Sequence, residues 1–331
     1  MAEKTYQKNP DLDFVVEDNR CLGNCKINGR FVDPYRKMNV SFRTFLKWRS
    51  AKNPWKEEKE NENYTGSWTD CTAFIHDKRD GIVWLGHATF LIRLNGELIL
   101  TDPLLFSLPL MKRYTPLPIL PRELIHIRHV LLSHAHRDHC DEKSLTTIGR
   151  NNPFRFYVPL NVGRIVKPFL PHHPVTEFGW YQTTQLADGI RITFLPAQHW
   201  SNRFPWDNNQ TLWGSFMLES ENHRIFFGGD SGYSQHYADI RSLFSPPHVA
   251  LLGIGAYDPS YMMQYSHMNP EEAFRAFLDL GAEKMFPMHY GVIDLSDEPM
   301  GQPLQRIRAV FQSHQRKNQL LDFIPGQVYY L

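Results

Sequence analysis

Residues 133–141 read SHAHRDHCD, and four of these nine residues have side chains that bind metals or carry protons: His134, His136, Asp138 and His139. The apolar run HVLLS just before them is typical of a buried strand. Asp141, just after them, is suited to cap a helix that begins at Glu142. A chain with 16 histidines could form such a cluster by chance. Loops between a strand and a helix are nevertheless where rigid scaffolds present reactive side chains, so the stretch predicts chemistry on an α/β scaffold.

The composition is that of an ordinary globular protein. Its 331 residues are 42% hydrophobic and 13% aromatic, which is enough for the core of one large domain or two medium domains. The net charge of +1 provides no general attraction to nucleic acid. The first residues, MAEKTYQKNPDLDF, lack the apolar core of a signal peptide, and no apolar run is long enough to span a membrane. We therefore expect a cytoplasmic protein that does not bind nucleic acid.

The cysteines carry little information about function. Four of them, Cys21, Cys25, Cys71 and Cys140, are too few for a disulfide scaffold in a chain of this length. The pair in CLGNC, residues 21–25, is spaced like half of a zinc site, but no second half is visible. We favour the alternative, which is free thiols in a reducing compartment.

Two regions of the chain differ in texture. Residues 1–75 are rich in charge, Asn and Pro and predict a partly helical extension, packed on or beside the main domain. Residues 76–331 predict a catalytic domain in which strands alternate with helices, as in a layered α/β fold. The predicted strands are GIVWLG, TFLIRL, LILTDP, HVLLS, FRFYVP, IRITFLP, LWGSFMLES, HRIFFGGD, VALLGIG and KMFPMHY. The predicted helices span 141–149, 161–169, 234–243, 270–280 and 303–314, the fourth with a capping box of Asn269 and Glu272.

Further ligand-type residues follow three other predicted strands: His199, Asp230 and His289. Each alone is as readily explained as a surface residue, a core residue or part of a turn. Together they change the interpretation, because side chains at the carboxyl ends of strands converge at one edge of a sheet. The pattern predicts one metal site with His134, His136 and His199, and a second with Asp138, His139 and His289, bridged by Asp230. Two divalent cations so placed would acidify water into a nucleophile at neutral pH.

The motif HAHRDH and its distal ligands resemble the HxHxDH signature of the metallo-β-lactamase-fold hydrolases. Two longer stretches, VWLGHATFLIRLNGELILTDP and AQHWSNRFPWDNNQTLWGS, resemble the branch of N-acyl-phosphatidylethanolamine-hydrolysing phospholipase D. GGDSGY, GIGAYDP, HMNPEEAF and MHYG point the same way. The likeness runs from about residue 31 to the C-terminus, and the longer blocks are more specific than HxHxDH alone.

This resemblance implies a four-layer αβ/βα sandwich, a centre of two Zn²⁺ per chain and hydrolysis of a phosphodiester. One Zn²⁺ would bind His134, His136, His199 and Asp230, and the other would bind Asp138, His139, Asp230 and His289. Asp138 and Asp230 would also be catalytic. The implied reaction is of the phospholipase D type, in which water converts an N-acyl-phosphatidylethanolamine-type phospholipid to N-acylethanolamine and phosphatidic acid.

Three residues outside this ligand set are further candidates. His267, in QYSHMNPEE before the capped helix, is placed to assist the departing alkoxide as a catalytic residue, although a solvated loop histidine explains it nearly as well. His87 and Asp102 follow predicted strands in WLGHAT and LTDP. We expect Asp102 to orient a ligand imidazole from behind.

A lipid substrate would need apolar surface. Residues 104–121, LLFSLPLMKRYTPLPILP, predict a lipid-facing groove or lid in which Lys112 and Arg113 meet phosphate groups, or else a loop folded onto the core. Phe42, Phe45 and Leu46 recur at helical spacing beside Arg43, Lys47 and Arg49. They predict an interfacial helix, or, slightly favoured, an amphipathic helix docked on the domain. Peripheral contact with a membrane follows from either lipid-facing interpretation.

Two other classes of function stay open at this point. One is a hydrolase of a lactone, a thioester, RNA or another phosphodiester on the same fold, because fold and metals do not define the substrate. The balanced charge disfavours RNA, and a lactonase has little need for the apolar segment 104–121. The other class is a metal-binding protein without catalysis, which the complete ligand set disfavours. The sequence also leaves a homodimer open.

Overall fold

The computed structural model describes residues 2–35, 42–186 and 189–331, without the side chains of Phe42, Phe45 and Arg49. Within these ranges, no helix has both the length and the apolar character needed to cross a membrane. The strands are β1 (Lys4–Gln7), β2 (Asp13–Phe14), β3 (Asn24–Ile27), β4 (Arg30–Phe31), β5 (Gly81–Gly86), β6 (Thr89–Leu94), β7 (Glu97–Thr101), β8 (Ile127–Leu131), β9 (Arg155–Pro159), β10 (Val175–Phe178), β11 (Gln182–Gln185), β12 (Arg191–Leu195), β13 (Ser215–Glu219), β14 (Arg224–Phe227), β15 (Val249–Gly253), β16 (Lys284–Met288) and β17 (Val328–Tyr330).

The α-helices lie on both sides of these strands. They are α1 (Phe42–Ser50), α2 (Lys56–Asn61), α3 (Glu142–Gly149), α4 (Gly163–Phe169), α5 (His236–Leu243), α6 (Ser260–Met263), α7 (Pro270–Leu280) and α8 (Gln302–Ser313). The five predicted helices are confirmed as α3, α4, α5, α7 and α8. Their caps are also as predicted, because the Asp141 carboxylate accepts from the Ser144 N–H and Asn269 and Glu272 form a capping box.

Two seven-stranded sheets form the centre of the molecule, and each mixes parallel with antiparallel pairs. Their orders are β10-β9-β8-β7-β6-β5-β17 and β16-β15-β14-β13-β12-β11-β2, beside a small sheet β1-β3-β4. Strands β7 to β10 run parallel, as do β14 to β16. All ten predicted strands are present, so the carboxyl ends of the parallel strands meet as the sequence requires.

Alternating side chains divide the first sheet between two cores. Ile82 and Trp84 of β5 belong to the core between the sheets, together with Phe216 of β13. Val83 and Leu85 of the same strand belong to a second core, which contains residues of α3 and α4. Residues of α5, α7 and α8 pack on the second sheet as part of the first core. The layers are therefore helix, sheet, sheet and helix, which confirms the predicted four-layer sandwich.

The N-terminal residues are joined to this sandwich at several points. Strand β2 pairs with β11 at the edge of the second sheet. In α1 the Trp48 indole donates to the Asp297 carboxylate at 3.0 Å, and between α1 and α2 the Asn53 amide donates to the Asp297 carbonyl at 2.9 Å. Helix α1 is therefore hydrogen-bonded to the domain, but Leu46, one of its predicted apolar positions, is 49% exposed. The side chains of the other two, Phe42 and Phe45, lie outside the described ones.

The segment 104–121 is only partly the exposed groove or lid that its sequence predicts. Leu104 and Leu105 are buried and belong to the two cores. Arg113 donates to the carbonyls of Leu85, Leu104 and Thr115 at 2.5 to 2.8 Å, so its guanidinium holds the loop together. This corrects the expectation that Arg113 meets a phosphate. The exposed part is the tip, where Leu110 is fully exposed and Met111 and Lys112 are accessible.

The division of this loop predicts a contrast in stability. Leu105→Ala should lower the free energy of unfolding by about 2–5 kcal/mol, because it opens a cavity in a packed core. Leu110→Ala at the exposed tip should change it by less than about 0.5 kcal/mol. Urea unfolding followed by fluorescence gives both values, and similar losses in the two variants would contradict the assignment of core and tip.

Candidate metal centre

The seven predicted ligands come together where strands of both sheets end. His134, His136, Asp138 and His139 lie in the loop after β8, and His289 directly follows β16. His199 and Asp230 lie a few residues beyond β12 and β14. All but His136 and Asp138 are almost completely buried. The backbone of rigid, hydrogen-bonded strands therefore sets the spacing of the cluster.

Three imidazoles form the first half of the cluster. The Nδ1 atom of His136 lies 2.8 Å from Nε2 of His134 and 3.3 Å from Nε2 of His199. Each of the three rings thus turns one nitrogen toward a common point. These three nitrogens lie within 4.8 Å of one another, close enough to share a metal ion.

The hydrogen bonds behind these rings define their tautomers. His199 Nδ1 lies 3.0 Å from the Ser266 carbonyl, which can only accept, so Nδ1 carries the proton and Nε2 the lone pair. Ser133 Oγ donates to Asp102 and therefore accepts from His134 Nδ1 at 2.9 Å. In the neutral rings, Nε2 of both His134 and His199 directs a lone pair into the site.

The second half contains two carboxylates and two imidazoles. His139 Nε2 lies 3.1 Å from Asp230 Oδ2 and 3.5 Å from Asp138 Oδ2. His289 Nε2 lies 3.2 Å from Asp230 Oδ1 and 3.7 Å from Asp138 Oδ2. Asp230 also lies 4.0 Å from His134 Nε2 and 3.9 Å from His199 Nε2. It is the carboxylate that touches both halves, as a bridging ligand must.

Asp102 connects the two halves from behind. Its side chain is completely buried and accepts from the Ser133 N–H at 2.7 Å, the Ser133 hydroxyl at 2.5 Å and His139 Nδ1 at 2.7 Å. The proton on His139 Nδ1 leaves the Nε2 lone pair facing Asp230. Asp102 is therefore placed to orient His139 directly and His134 through Ser133.

The donor set fits metal ions on physical grounds. Within the described ranges, His136 Nε2, His139 Nε2, Asp230 Oδ1 and both ring nitrogens of His289 are buried without a hydrogen-bond partner. Lone pairs of imidazoles and carboxylates that face one another at 3 to 4 Å repel unless a cation or proton lies between them. Imidazole nitrogen and carboxylate oxygen are the ligands of borderline divalent cations.

Comparison with known families agrees with this geometry. Residues 98–290, more than half of the chain, match the sequence profile of the Beta-lactamase superfamily domain. The protein belongs to the beta-lactamase superfamily. The matched region begins at β7 and ends just after His289, so it contains all seven ligands.

Three of the relatives that this chain resembles are named for hydrolysis. The chain is 32% identical over 233 residues to N-acyl-phosphatidylethanolamine-hydrolyzing phospholipase D 1 of Caenorhabditis elegans, covering 66% of this chain and 64% of that protein. It is 31% identical over 239 residues to the mitochondrial enzyme of the same name from Saccharomyces cerevisiae, covering 68% and 50%. A metal-dependent hydrolase of Pyrobaculum aerophilum is 28% identical over 233 residues, covering 69% and 92%. The chain thus spans only half to two thirds of the length of the phospholipases that it matches.

Solved structures of the superfamily confirm the fold. Igni18, a metallo hydrolase of Ignicoccus hospitalis, superposes with a TM-score of 0.57 at 20% identity, covering 76% of this chain and 98% of that chain. At this identity the likeness concerns the fold alone. Reaction and substrate depend on the site.

Electrostatics in the cluster favours a bound cation. Burial lowers the pKa of His134 and of His199 well below the ordinary value, so both rings stay neutral. Burial raises the pKa of Asp230, but attraction to His139 and His289 outweighs it and brings the pKa well below normal. The carboxylates conversely raise the pKa of His289 to about 9 despite its burial. The carboxylates attract positive charge to this point, which a metal ion can supply in place of protons.

Strained backbone concentrates at the same place. His87, Asp102 and His289 have φ angles of 57°, 31° and 61°, in the left-handed region that non-glycine residues rarely adopt. The loop after β8, residues 133–141, is called the metal loop below. Gly229, with φ of 57°, allows the loop of Asp230 to approach the metal loop, because a Cβ there would lie 2.6 Å from the Cβ of Ser133. Surrounding packing therefore holds the site in a conformation that the local chain disfavours.

The remaining candidates lie at different distances from the centre. His87 Nε2 lies 3.1 Å from Asp138 Oδ2, and burial lowers the pKa of His87 to about 3. His267 Nδ1 lies 3.8 Å from Asp230 Oδ2, and its ring stacks on His289. One ligand atom of His267 also lies within 4.8 Å of ligand atoms of Asp230 and His289, so His267 is close enough to bind the same metal ion. Lys112 lies over the Tyr114 ring at the loop tip.

Three contributors to the site were not predicted from the sequence. Ser133 connects Asp102 to His134, and the Ser266 carbonyl orients His199. Trp200 packs edge-on against the His136 ring at 4.4 Å. The signal for Ser133 and Trp200 was their position next to ligands, whereas a backbone carbonyl gives no sequence signal.

The hydrogen bonds of Asp102 predict a loss of metal affinity in its variants. Asp102→Asn should weaken metal binding by about 10–100-fold, because the amide cannot hold both Ser133 and His139 in their present orientations. Competition with a chromophoric chelator measures the affinity. Asp141→Asn is the matched control, since asparagine also caps a helix and the Asp141 carboxylate accepts from the N–H and the hydroxyl of Ser144. Equal affinities in Asp102→Asn and the wild type would contradict the role of Asp102.

Proposed function

We propose that the protein is a binuclear zinc phosphodiesterase that hydrolyses N-acyl-phosphatidylethanolamine-type phospholipids to N-acylethanolamine and phosphatidic acid. The observation that carries the proposal is the position of Asp230 between a set of three imidazoles and a set of two imidazoles with a second carboxylate. Two relatives at 31% and 32% identity are named for this same reaction, which supports the substrate class.

The ligands support zinc and a count of two. His134, His136 and His199 would hold one ion, Asp138, His139 and His289 the other, and Asp230 both. Imidazole-rich sets with few carboxylates suit zinc better than magnesium or calcium, which prefer oxygen. When bound, two such ions acidify water and neutralise the anionic oxygens of a phosphodiester.

The protein side chains act on the attacking water and on the leaving group. Asp138, the more exposed of the two carboxylates, orients the attacking water and accepts its proton. Water oxygen bonds to phosphorus as the bond from phosphorus to the N-acylethanolamine oxygen breaks. Phosphatidic acid retains the phosphorus. The departing alkoxide takes up a proton from solvent, to which Asp138 returns the proton that it accepted from water.

His267 is placed to assist that departure. Burial lowers its pKa to about 4, with attraction to Asp230 opposing the fall, so the ring is neutral at physiological pH. A neutral imidazole offers one N–H donor, which can bind the developing alkoxide. Its stacking on His289 fixes the plane of the ring beside the centre.

The lipid character of the substrate is supported by the loop that follows Asp102. The Tyr114 N–H donates to the Val292 carbonyl at 2.8 Å, so this loop lies against the segment that follows His289. Leu110, Met111 and Lys112 are exposed at its tip. An apolar tip with a basic neighbour suits peripheral contact of a cytoplasmic enzyme with a phospholipid surface.

The substrate class has a direct test. The purified, metal-loaded protein is incubated with a mixed lipid extract, and the lipids consumed are identified by mass spectrometry. We expect N-acyl-phosphatidylethanolamines to disappear and phosphatidic acid and N-acylethanolamines to appear, and chelation to stop both changes. Consumption of only lactones or thioesters would replace the proposed substrate.

His267 is tested by two substitutions. His267→Ala should lower kcat by about 10²–10⁴-fold, as for other positioned proton carriers and donors, with metal content unchanged. His267→Gln should recover part of the rate, because its amide also donates an N–H. Loss of one metal ion in both variants would instead make His267 a ligand, and an effect confined to KM would make it a substrate-positioning residue.

A further inference from the structure

An exposed pair of aromatic side chains lies beside the metal centre, on the loop that follows His199. Trp206 is 70% exposed and Phe204 44% exposed, and their rings stack with centroids 5.1 Å apart and planes 4° from parallel. Large aromatic rings at this exposure are uncommon on a surface that faces only water. They line a cavity of about 460 Å³ together with Arg137, Arg164 and Arg203. We refer to these five residues as the aromatic–arginine patch.

The backbone of this loop is held firmly. The Asp207 carboxylate accepts from the N–H groups of Arg203 and Phe204 at 2.9 and 3.0 Å. Arg30 donates to the carbonyl of Trp206 at 3.1 Å and to that of Asn208. Hydrogen bonds within the protein therefore define the shape of this turn, which exposes both rings to solvent.

The three arginines give the patch positive charge. Within the described ranges, none of their guanidinium nitrogens lies within ion-pair distance of a carboxylate. Arg137 lies over the Phe204 ring, Arg203 over the Phe169 ring, and Arg164 contacts Gln210. Two carboxylates, Glu142 and Asp207, line the same cavity, and Asp207 is engaged by the loop backbone. Positive charge therefore exceeds negative charge, although the protein as a whole is almost neutral.

The patch is continuous with the metal loop. Arg137 lies between His136 and Asp138 in the sequence, and Arg203 donates to the carbonyl of Cys140 at 2.6 Å. A surface bound at the patch is thus held next to the loop that carries four of the candidate ligands.

We propose that the aromatic–arginine patch docks the protein on the surface of a bilayer that contains anionic phospholipids. Trp206 and Phe204 enter the interface between headgroups and acyl chains, where amphipathic aromatic rings are most stable. The arginines bind lipid phosphates, for which the planar guanidinium is well suited. The inference rests on the proposed lipid substrate for its biological purpose, but the docking itself can be measured without turnover.

The test compares vesicle binding of the metal-loaded protein with that of two variants. Flotation with vesicles of phosphatidylcholine, alone or mixed with phosphatidylserine, gives the affinity. The double variant Phe204→Ser with Trp206→Ser should bind both kinds of vesicle about ten-fold more weakly, because it removes the inserted apolar area. Arg164→Glu should weaken binding by about five-fold or more on the anionic vesicles alone, an effect that salt reduces.

Matched controls separate docking from general surface properties. Trp68→Ser removes another tryptophan that is 47% exposed, and Arg128→Glu reverses an exposed charge on β8 at the end away from the metal loop. Both should bind like the wild type, and thermal melting should show all variants folded. Wild-type binding by the double variant, or equal losses in the controls, would overturn the proposal. Loss of self-association in the double variant, without loss of vesicle binding, would assign the patch to a second copy of the chain.

Failure of the docking surface and failure of the proposed substrate are distinguishable. Hydrolysis of a small soluble phosphodiester should be unchanged in all these variants, because the substituted residues are not among the metal ligands. If vesicle binding follows the pattern above but no lipid is hydrolysed, the docking surface stands and the proposed substrate is wrong. If the variants hydrolyse lipid and bind vesicles as the wild type does, the proposed docking surface is wrong and the proposed substrate stands.

Discussion

The carboxylate of Asp102 is the constraint on which the metal centre depends. It is completely buried at the end of β7 and accepts three hydrogen bonds, two from Ser133 and one from His139. These bonds determine which nitrogen of His139 and of His134 carries a proton, and so direct one lone pair from each half of the cluster inward. Burial raises the pKa of Asp102 while the hydrogen bonds from His139 and Ser133 oppose the rise. A charge can persist there because every donor around it is already aimed at it.

The two sheets make this arrangement possible. Asp102, the metal loop, Asp230 and His289 follow strands that pair in parallel, so their side chains meet at one edge of the sandwich. Between the sheets, aromatic and aliphatic side chains pack into a continuous core that keeps the strand ends in register. The left-handed backbone at Asp102 and His289 shows that this packing also holds conformations the local chain disfavours. Packing in the core thus compensates for the unfavourable backbone conformations at the site.

Most of the fold and the residues of the candidate centre could be predicted from the sequence, because both depend on the pattern of side chains along the chain. Apolar runs marked ten strands, and ligand-type residues at their ends marked the centre. The outermost strand β2 and its neighbour β11 were missed because DF and QTTQ lack a buried apolar face. Arg113 was misread because its partners are backbone carbonyls, whose directions no residue letter records. Leu104 and Leu105 were taken for lid residues because an apolar loop looks alike whether it faces a core or a lipid.

The proposed reaction begins with attack of water on phosphorus at this centre. It is tested most directly by hydrolysing N-acyl-phosphatidylethanolamine with the metal-loaded protein in ¹⁸O-labelled water and locating the label by mass spectrometry. Attack at phosphorus with departure of the ethanolamine oxygen places one ¹⁸O atom in the phosphate of phosphatidic acid and leaves the N-acylethanolamine unlabelled. Label in the N-acylethanolamine, or release of diacylglycerol in place of phosphatidic acid, would contradict the account.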